Sequence, residues 1–247
     1  MQPSLDTQLP DAIAELYRVF RPYRVEFPLE ACACCVDESH QRVISAKPLE
    51  ALTSRDLDWY AFKAITTFGT VNDFKHFLPR LLELIAYERD FPINEEIVFG
   101  KLPYASWRDW PMTEQRAIEA YLPALWRQTI ETMDEGMSMQ VCLACIGRVV
   151  ESVSEYLAHW SEAMQQSAVA RLRFAEFFCT EISLDDLSPT FWEESPEQGK
   201  ELETWLRDEI PPKLFRRALV EWTQTHAGRE YGYKIDLYEA WRKDWAV

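Results

Sequence analysis

Seven glycines in 247 residues leave this chain poorly equipped to build sheets. Strands need tight turns, and most tight turns need a residue that takes positive φ without cost. Glycine makes up about 7% of an average chain, more than twice its share here. The prediction is therefore an all-α fold. Apolar spacing agrees: Leu57, Tyr60, Ala61, Ala64 and Ile65 step by helical intervals. So do Phe74, Phe77, Leu78, Leu81, Leu82 and Ile85, and then Cys142, Cys145, Ile146, Val149, Val153, Tyr156 and Trp160. One helical domain over 1–247 is expected, with 1–8 a disordered tip. Its helical hairpins pack as an irregular bundle or a HEAT-like stack.

Punctuation along the chain supports that reading. Asp11 caps a first helix through Phe20. Thr53-x-x-Asp56 and Thr70-x-x-Asp73 resemble capping boxes, with Asp in place of Glu. Gly69 is expected to end the helix that Thr53 opens. Residues 113–133 read as a helix kinked at Pro123. Residues 138–160 read as one unbroken helix, followed by another at 162–183. Ser195, Pro196 and Gln198 supply an N-cap, a first-turn proline and a third-position partner for a helix to about Glu209. Further helices are expected over 212–224 and 235–245. Phe77-Leu78-Pro79-Arg80-Leu81 is echoed in Tyr121-Leu122-Pro123-Ala124-Leu125, which is the basis for a repeat-like stack.

Charge narrows the function. The 41 acidic residues outnumber the 26 basic ones, for a net charge of −15. Phosphate backbones and anionic lipid surfaces would both repel such a chain, so neither nucleic acid nor membrane is an expected partner. There is no apolar run of about 18 residues, and the N-terminus lacks a secretory leader. A cytoplasmic location is expected, with its six cysteines reduced. A basic protein is the natural electrostatic partner. The acids between Glu176 and Glu209 include Asp185, Asp186, Glu193, Glu194, Glu197 and Glu201. Phe191, Trp192 and Trp205 lie among them as prospective apolar anchors. That combination predicts an adaptor, or an inhibitor of the immunity-protein kind.

The cysteines offer a second reading. Cys32, Cys34 and Cys35 fall within four positions, and His40 follows. Two thiolates at C-x-x-C spacing can share a tetrahedral Zn²⁺, so Cys32, Cys35 and His40 form a candidate zinc site. The fourth ligand would come from Cys34, Asp37, Glu38, or the distant Cys142 and Cys145. Oxidant sensing and plain packing are the alternatives for the same thiols. Cys142, Cys145 and Cys179 sit on apolar helix stripes and are expected in the core. No G-x-S-x-G, H-E-x-x-H, P-loop or G-x-G-x-x-G is present, so no catalytic set is predicted. A pocket lined by His76 or His159 with paired carboxylates would suit a helical enzyme.

One stretch carries a family resemblance. It comprises Cys32-x-x-Cys35-Val36, Lys47-Pro48-Leu49-x-x-Leu52 and Asp56-Leu57-x-x-Tyr60-Ala61-x-Lys63-Ala64. Thr67-x-Gly69 and the run Asp73-Phe74-Lys75-His76-Phe77-Leu78-Pro79-Arg80-Leu81-Leu82-Glu83-Leu84 complete it. These motifs resemble a family of bacterial all-helical proteins without an assigned activity. The resemblance implies a bacterial cytosolic origin, and it draws attention to Cys32 and Cys35 over Cys34.

Overall fold

The structure is a computed structural model that describes residues 8–88, 92–133, 137–182 and 192–237. The tip at 1–7 and most of the helix expected over 235–245 lie outside the described residues. So do Asp185, Asp186 and Phe191. The fold is all-α, and its helices pack against one another. Among the described residues extended pairing is confined to isolated bridges, Ala31 with Phe68 and Ala64 with Phe68. No described helix is long and apolar enough to cross a membrane.

The chain divides into two compact units, Met1–Leu125 with Glu135–Met137, and Trp126–Asp134 with Ser138–Val247. The first unit holds α1 (Leu9–Phe20), α2 (Glu38–Ser45), α3 (Ser54–Lys63), α4 (Val71–Tyr87) and α5 (Glu95–Tyr104). It also holds α6 (Met112–Glu131) as far as Leu125. Here α1 packs on α4, α2 on α3, and α3 on both α4 and α5. Tyr60 sits at the centre, with its ring centroid 4.4 Å from Phe77 and 5.3 Å from Phe68. The two proline-bearing echoes meet in this unit: the Tyr121 hydroxyl donates to the Leu82 carbonyl at 2.8 Å. Both prolines lie inside continuous helices, Pro79 in α4 and Pro123 in α6.

Both expected capping boxes form. Thr53 and Asp56 exchange side-chain and backbone hydrogen bonds, and Thr70 and Asp73 do the same. The end of α3 differs from expectation. It stops at Lys63, well before Gly69, and Ile65 takes a positive φ of 68°. The cause is tertiary. The 64–70 loop gives its backbone groups to the segment before the cysteines: Cys32 N donates to Thr67 O at 2.9 Å, and Gly69 N donates to Glu30 O at 2.7 Å. Gly69 does adopt φ of 75°, where a Cβ would stand 3.1 Å from that of Asp73. Its role is thus to lead into α4.

The second unit takes up α6 from Trp126. It then holds α7 (Met139–Gly147), α8 (Ser154–Gln166), α9 (Ala168–Glu176), α10 (Pro196–Thr204) and α11 (Pro212–Thr223). Wide π turns extend α9 over Phe177–Glu181 and α10 over Trp205–Glu209. Here α9 packs on α8 and α11, and α8 touches α10 and α11. Trp160 is the hub, with the rings of Trp126, Phe177 and Trp205 each 5.3 Å away and that of Phe174 at 5.5 Å.

The helix expected over 138–160 is two helices. Its apolar stripe is buried throughout, except that Tyr156 stays partly exposed, but the backbone breaks between Gly147 and Ser154. Val149-Val150-Glu151-Ser152-Val153 is rich in residues that lose χ1 freedom or compete for backbone bonds in a helix. The Glu201 carboxylate captures the break, accepting from Val153 N at 2.6 Å and Ser152 Oγ at 3.0 Å. A second local expectation also fails. Ser195 precedes α10, but its buried hydroxyl makes no capping bond. Gln198 instead donates to the carbonyls of Val150 and Glu151, at 3.1 and 2.9 Å.

Candidate functional site

Glu38, at the start of α2, is preceded by a tight turn. Cys35 N and Val36 N both donate to Cys32 O, at 2.9 and 3.0 Å. A turn this short brings side chains 32, 34 and 35 together. The Sγ atoms of Cys32 and Cys34 are 2.9 Å apart, and those of Cys34 and Cys35 are 3.5 Å apart. All three lie within 4.8 Å of one another, and they form the one such metal-ligating group among the described residues. Cys32 and Cys34 are exposed and Cys35 is half-buried.

The thiols differ in acidity because they share hydrogen bonds. Hydrogen bonds from the Cys34 side chain, then from its backbone N–H, hold the Cys32 thiol below its ordinary value. The same contacts with Cys32 and Cys35 push Cys34 up to about 11. Cys32 therefore ionises before Cys34 and is the better nucleophile and ligand of that pair. A tetrahedral zinc site has Zn–S bonds of about 2.3 Å, hence S···S separations of about 3.8 Å. Small outward movements of exposed side chains would bring the three sulfurs to that spacing.

Of the expected set of Cys32, Cys35 and His40, the two cysteines lie in the sulfur group and His40 does not. Its Nδ1 accepts from Asp37 N at 3.2 Å, in the capping box that opens α2. Its ring stacks on Trp59, with centroids 4.8 Å apart. Trp59 in turn donates from Nε1 to Cys35 O at 3.1 Å. His40 thus braces the loop from behind. Asp37 is engaged as well, accepting from Ser39 N and His40 N. Cys34, considered only as a fourth ligand from sequence, stands in the middle of the cluster. Cys142, Cys145 and Cys179 are buried, as their helix stripes predict.

The acidic region differs from expectation in its anchors. Trp192 is 1% exposed, and so is Trp205. Trp192 lies between α7 and α10: a Cβ added at Gly147 would come within 2.8 Å of its ring, and one at Gly199 within 2.9 Å of its Cβ. Both tryptophans are core residues of the second unit and present no apolar surface to a partner. Several acids are already engaged. Glu194 pairs with Arg148, Glu197 with Lys200 at 2.7 Å, and Glu201 caps the break before α8. Glu193 is exposed and has no ion pair among the described residues. Glu197, Lys200, Glu201 and Glu209 line a hollow of about 230 Å³.

Two histidines line hollows. His159 shares one of about 370 Å³ with Glu131, Glu162 and Ser167. Burial first, then the Arg127 charge, lowers its pKa. Its ring makes no hydrogen bond among the described residues, and the Ser167 hydroxyl is occupied accepting from Ala170 N at 3.3 Å. No nucleophile–base pair is assembled there. His76 lines a larger cavity in the first unit. Comparison with protein families, curated proteins and solved structures finds no match to this chain. The resemblance of residues 32–84 rests on those residues alone.

Proposed function

We propose that this protein binds a soft d¹⁰ metal ion, Zn²⁺ foremost, through Cys32, Cys34 and Cys35. The observation that carries the reading is the convergence of three sulfurs within 4.8 Å of one another on one short turn. Three thiolates so close repel one another, and a bound cation removes that repulsion. Soft thiolate donors select zinc or Cu(I) over magnesium or calcium. The fourth position faces solvent beside two exposed cysteines, so a water or a donor from another molecule completes it. The loop is already held by backbone bonds to 67–69 and by the α2 cap. The metal is thus exchangeable cargo rather than a structural staple.

Elemental analysis of protein purified without a histidine tag or chelator tests this. About one zinc per chain is expected. Replacing Cys32 or Cys34 with Ser should release it with the helical content unchanged. Metal-free protein that also takes up no added Zn²⁺ or Cu(I) under reducing conditions ends the proposal.

A second reading keeps a basic protein partner at the 192–209 surface. The hollow with three carboxylates, Glu197, Glu201 and Glu209, against Lys200 favours it. A lysine or arginine side chain is the matching occupant, without the aromatic anchors expected from sequence. Affinity for a basic partner that ignores salt between 50 and 300 mM, as a rough range, would exclude this surface.

A further inference from the structure

A cavity of about 660 Å³ in the first unit runs against the charge of the whole chain. The protein is strongly acidic, yet Arg18, Arg21, Arg24, Lys47 and His76 line this cavity, with Glu50 as the one carboxylate among its lining residues. Two of the cations are locally balanced: Arg18 pairs with Glu15, and Lys47 with Asp56 at 2.6 Å. Arg21 and Arg24 have no ion pair or hydrogen bond from their side chains among the described residues. Two guanidinium groups without a carboxylate partner thus lie on one cavity lining.

The rest of the lining has a different character. Val25, Phe27, Pro48 and Leu49 give it accessible apolar surface, with Phe27 39% exposed. Phe20, Leu52 and Phe77 back it from the core. His76 also lines it, and its Nδ1 is 3.0 Å from the Tyr23 carbonyl. A carbonyl can only accept, so Nδ1 carries the hydrogen and the ring is fixed, with Nε2 as its remaining polar atom. Burial above all, with the nearby Arg24 charge, lowers the pKa of this ring, against the Tyr23 hydrogen bond that raises it. The volume falls within the range of small-molecule sites.

We infer that this cavity binds a small organic anion, its oxyanion head held by Arg21 and Arg24 and its apolar body resting on Val25, Phe27, Pro48 and Leu49. Guanidinium forks match carboxylate and phosphate oxygens alike, so the head group is an oxyanion of either kind. The site is independent of the thiol loop and of any metal bound there.

The test is calorimetric titration of the full chain with phenyl phosphate and, separately, with benzoate, with inorganic phosphate as the body-less control. Saturable one-to-one binding of at least one aromatic anion, tighter than inorganic phosphate, is expected. The double variant Arg21→Gln/Arg24→Gln should weaken it by about tenfold or more, the usual scale for losing charge-assisted bonds. Both arginines are exposed, so the variant keeps its fold. Arg108→Gln, which removes a cation paired with Glu119 elsewhere in the unit, should leave binding unchanged. No saturable binding of either aromatic anion overturns the inference. So does inorganic phosphate binding as tightly as both, or an equal loss in the Arg108 variant.

Discussion

Lys75 Nζ lies 2.7 Å from Glu114 Oε2, and each side chain is only 7% exposed. Tyr23 completes the group, donating to Glu114 Oε1 at 2.6 Å and accepting from Lys75 at 3.0 Å. The ammonium also stands 4.2 Å from the Trp110 ring centroid. Breaking such a pair strands one buried charge, which costs about 3–5 kcal/mol. Lys75→Met should therefore destabilise the protein strongly, as read by urea unfolding. Lys75→Met combined with Glu114→Met should recover most of the loss, because both charges then leave together. A double variant no more stable than the single one would refute this account.

The glycines under Trp192 give a packing prediction. A methyl at Gly147 would meet the indole ring at 2.8 Å, and one at Gly199 would meet its Cβ at 2.9 Å. Each Gly→Ala change should cost about 1–3 kcal/mol by overpacking, despite the better helix propensity of alanine. Thermal melts of the two variants check this. Trp192→Phe should be milder than either, since the buried indole N–H has no partner among the described residues.

Thiol reactivity should follow the hydrogen-bond order in the loop. In metal-free protein, iodoacetamide should label Cys32 before Cys34, with an apparent pKa below the ordinary 9.0. Cys34, held near 11, should lag until Cys32 is blocked. Buried Cys142, Cys145 and Cys179 should label only on unfolding. Peptide mapping over time reads this order directly, and first labelling at Cys34 would reverse the assignment.

Acid should loosen the fold through its buried histidines. His76 and His159 both sit below the ordinary value of 6.5, chiefly through burial. A histidine with a depressed folded value binds its proton more readily when unfolded. Its contribution is full above about 6.5 and is lost as pH falls through the lower folded value. Wild-type Tm should drop between pH 7.5 and 5.5, as a rough window. The drop should shrink in His76→Gln/His159→Gln. An unchanged drop would assign the acid response to other groups.

The capping box at α4 offers a control of known scale. Thr70→Ala removes the acceptor for Asp73 N and should cost about 1 kcal/mol. Chemical denaturation measures it.

What the sequence revealed depended on how local the cause was. The Thr53 and Thr70 caps were legible because each box closes within four residues. The break before Ser154 was not, since its apolar stripe continues across it and the group that holds it open, Glu201, belongs to another helix. The early end of α3 was hidden for the same reason: its loop bonds to Glu30 and Cys32. At the site, the nearness of the three cysteines was plain, but ligand spacing favoured His40 over Cys34. The three sulfurs group together without His40, whose ring is taken up in the Asp37 cap. Trp192 and Trp205 carried no local sign of burial, because the glycines and rings that enclose them come from distant helices.

The stacking of Trp59 on His40 equips the loop with its own optical signal. Trp59 is 37% exposed, while the other described tryptophans are buried. Its emission should lie to the red of theirs, and it is tied to Cys35 O through its indole N–H. A rearrangement of the 32–36 turn that broke this hydrogen bond would change the surroundings of the most exposed of the described tryptophans. The conformation of the thiol turn is therefore readable in the native chain by fluorescence, with no label attached.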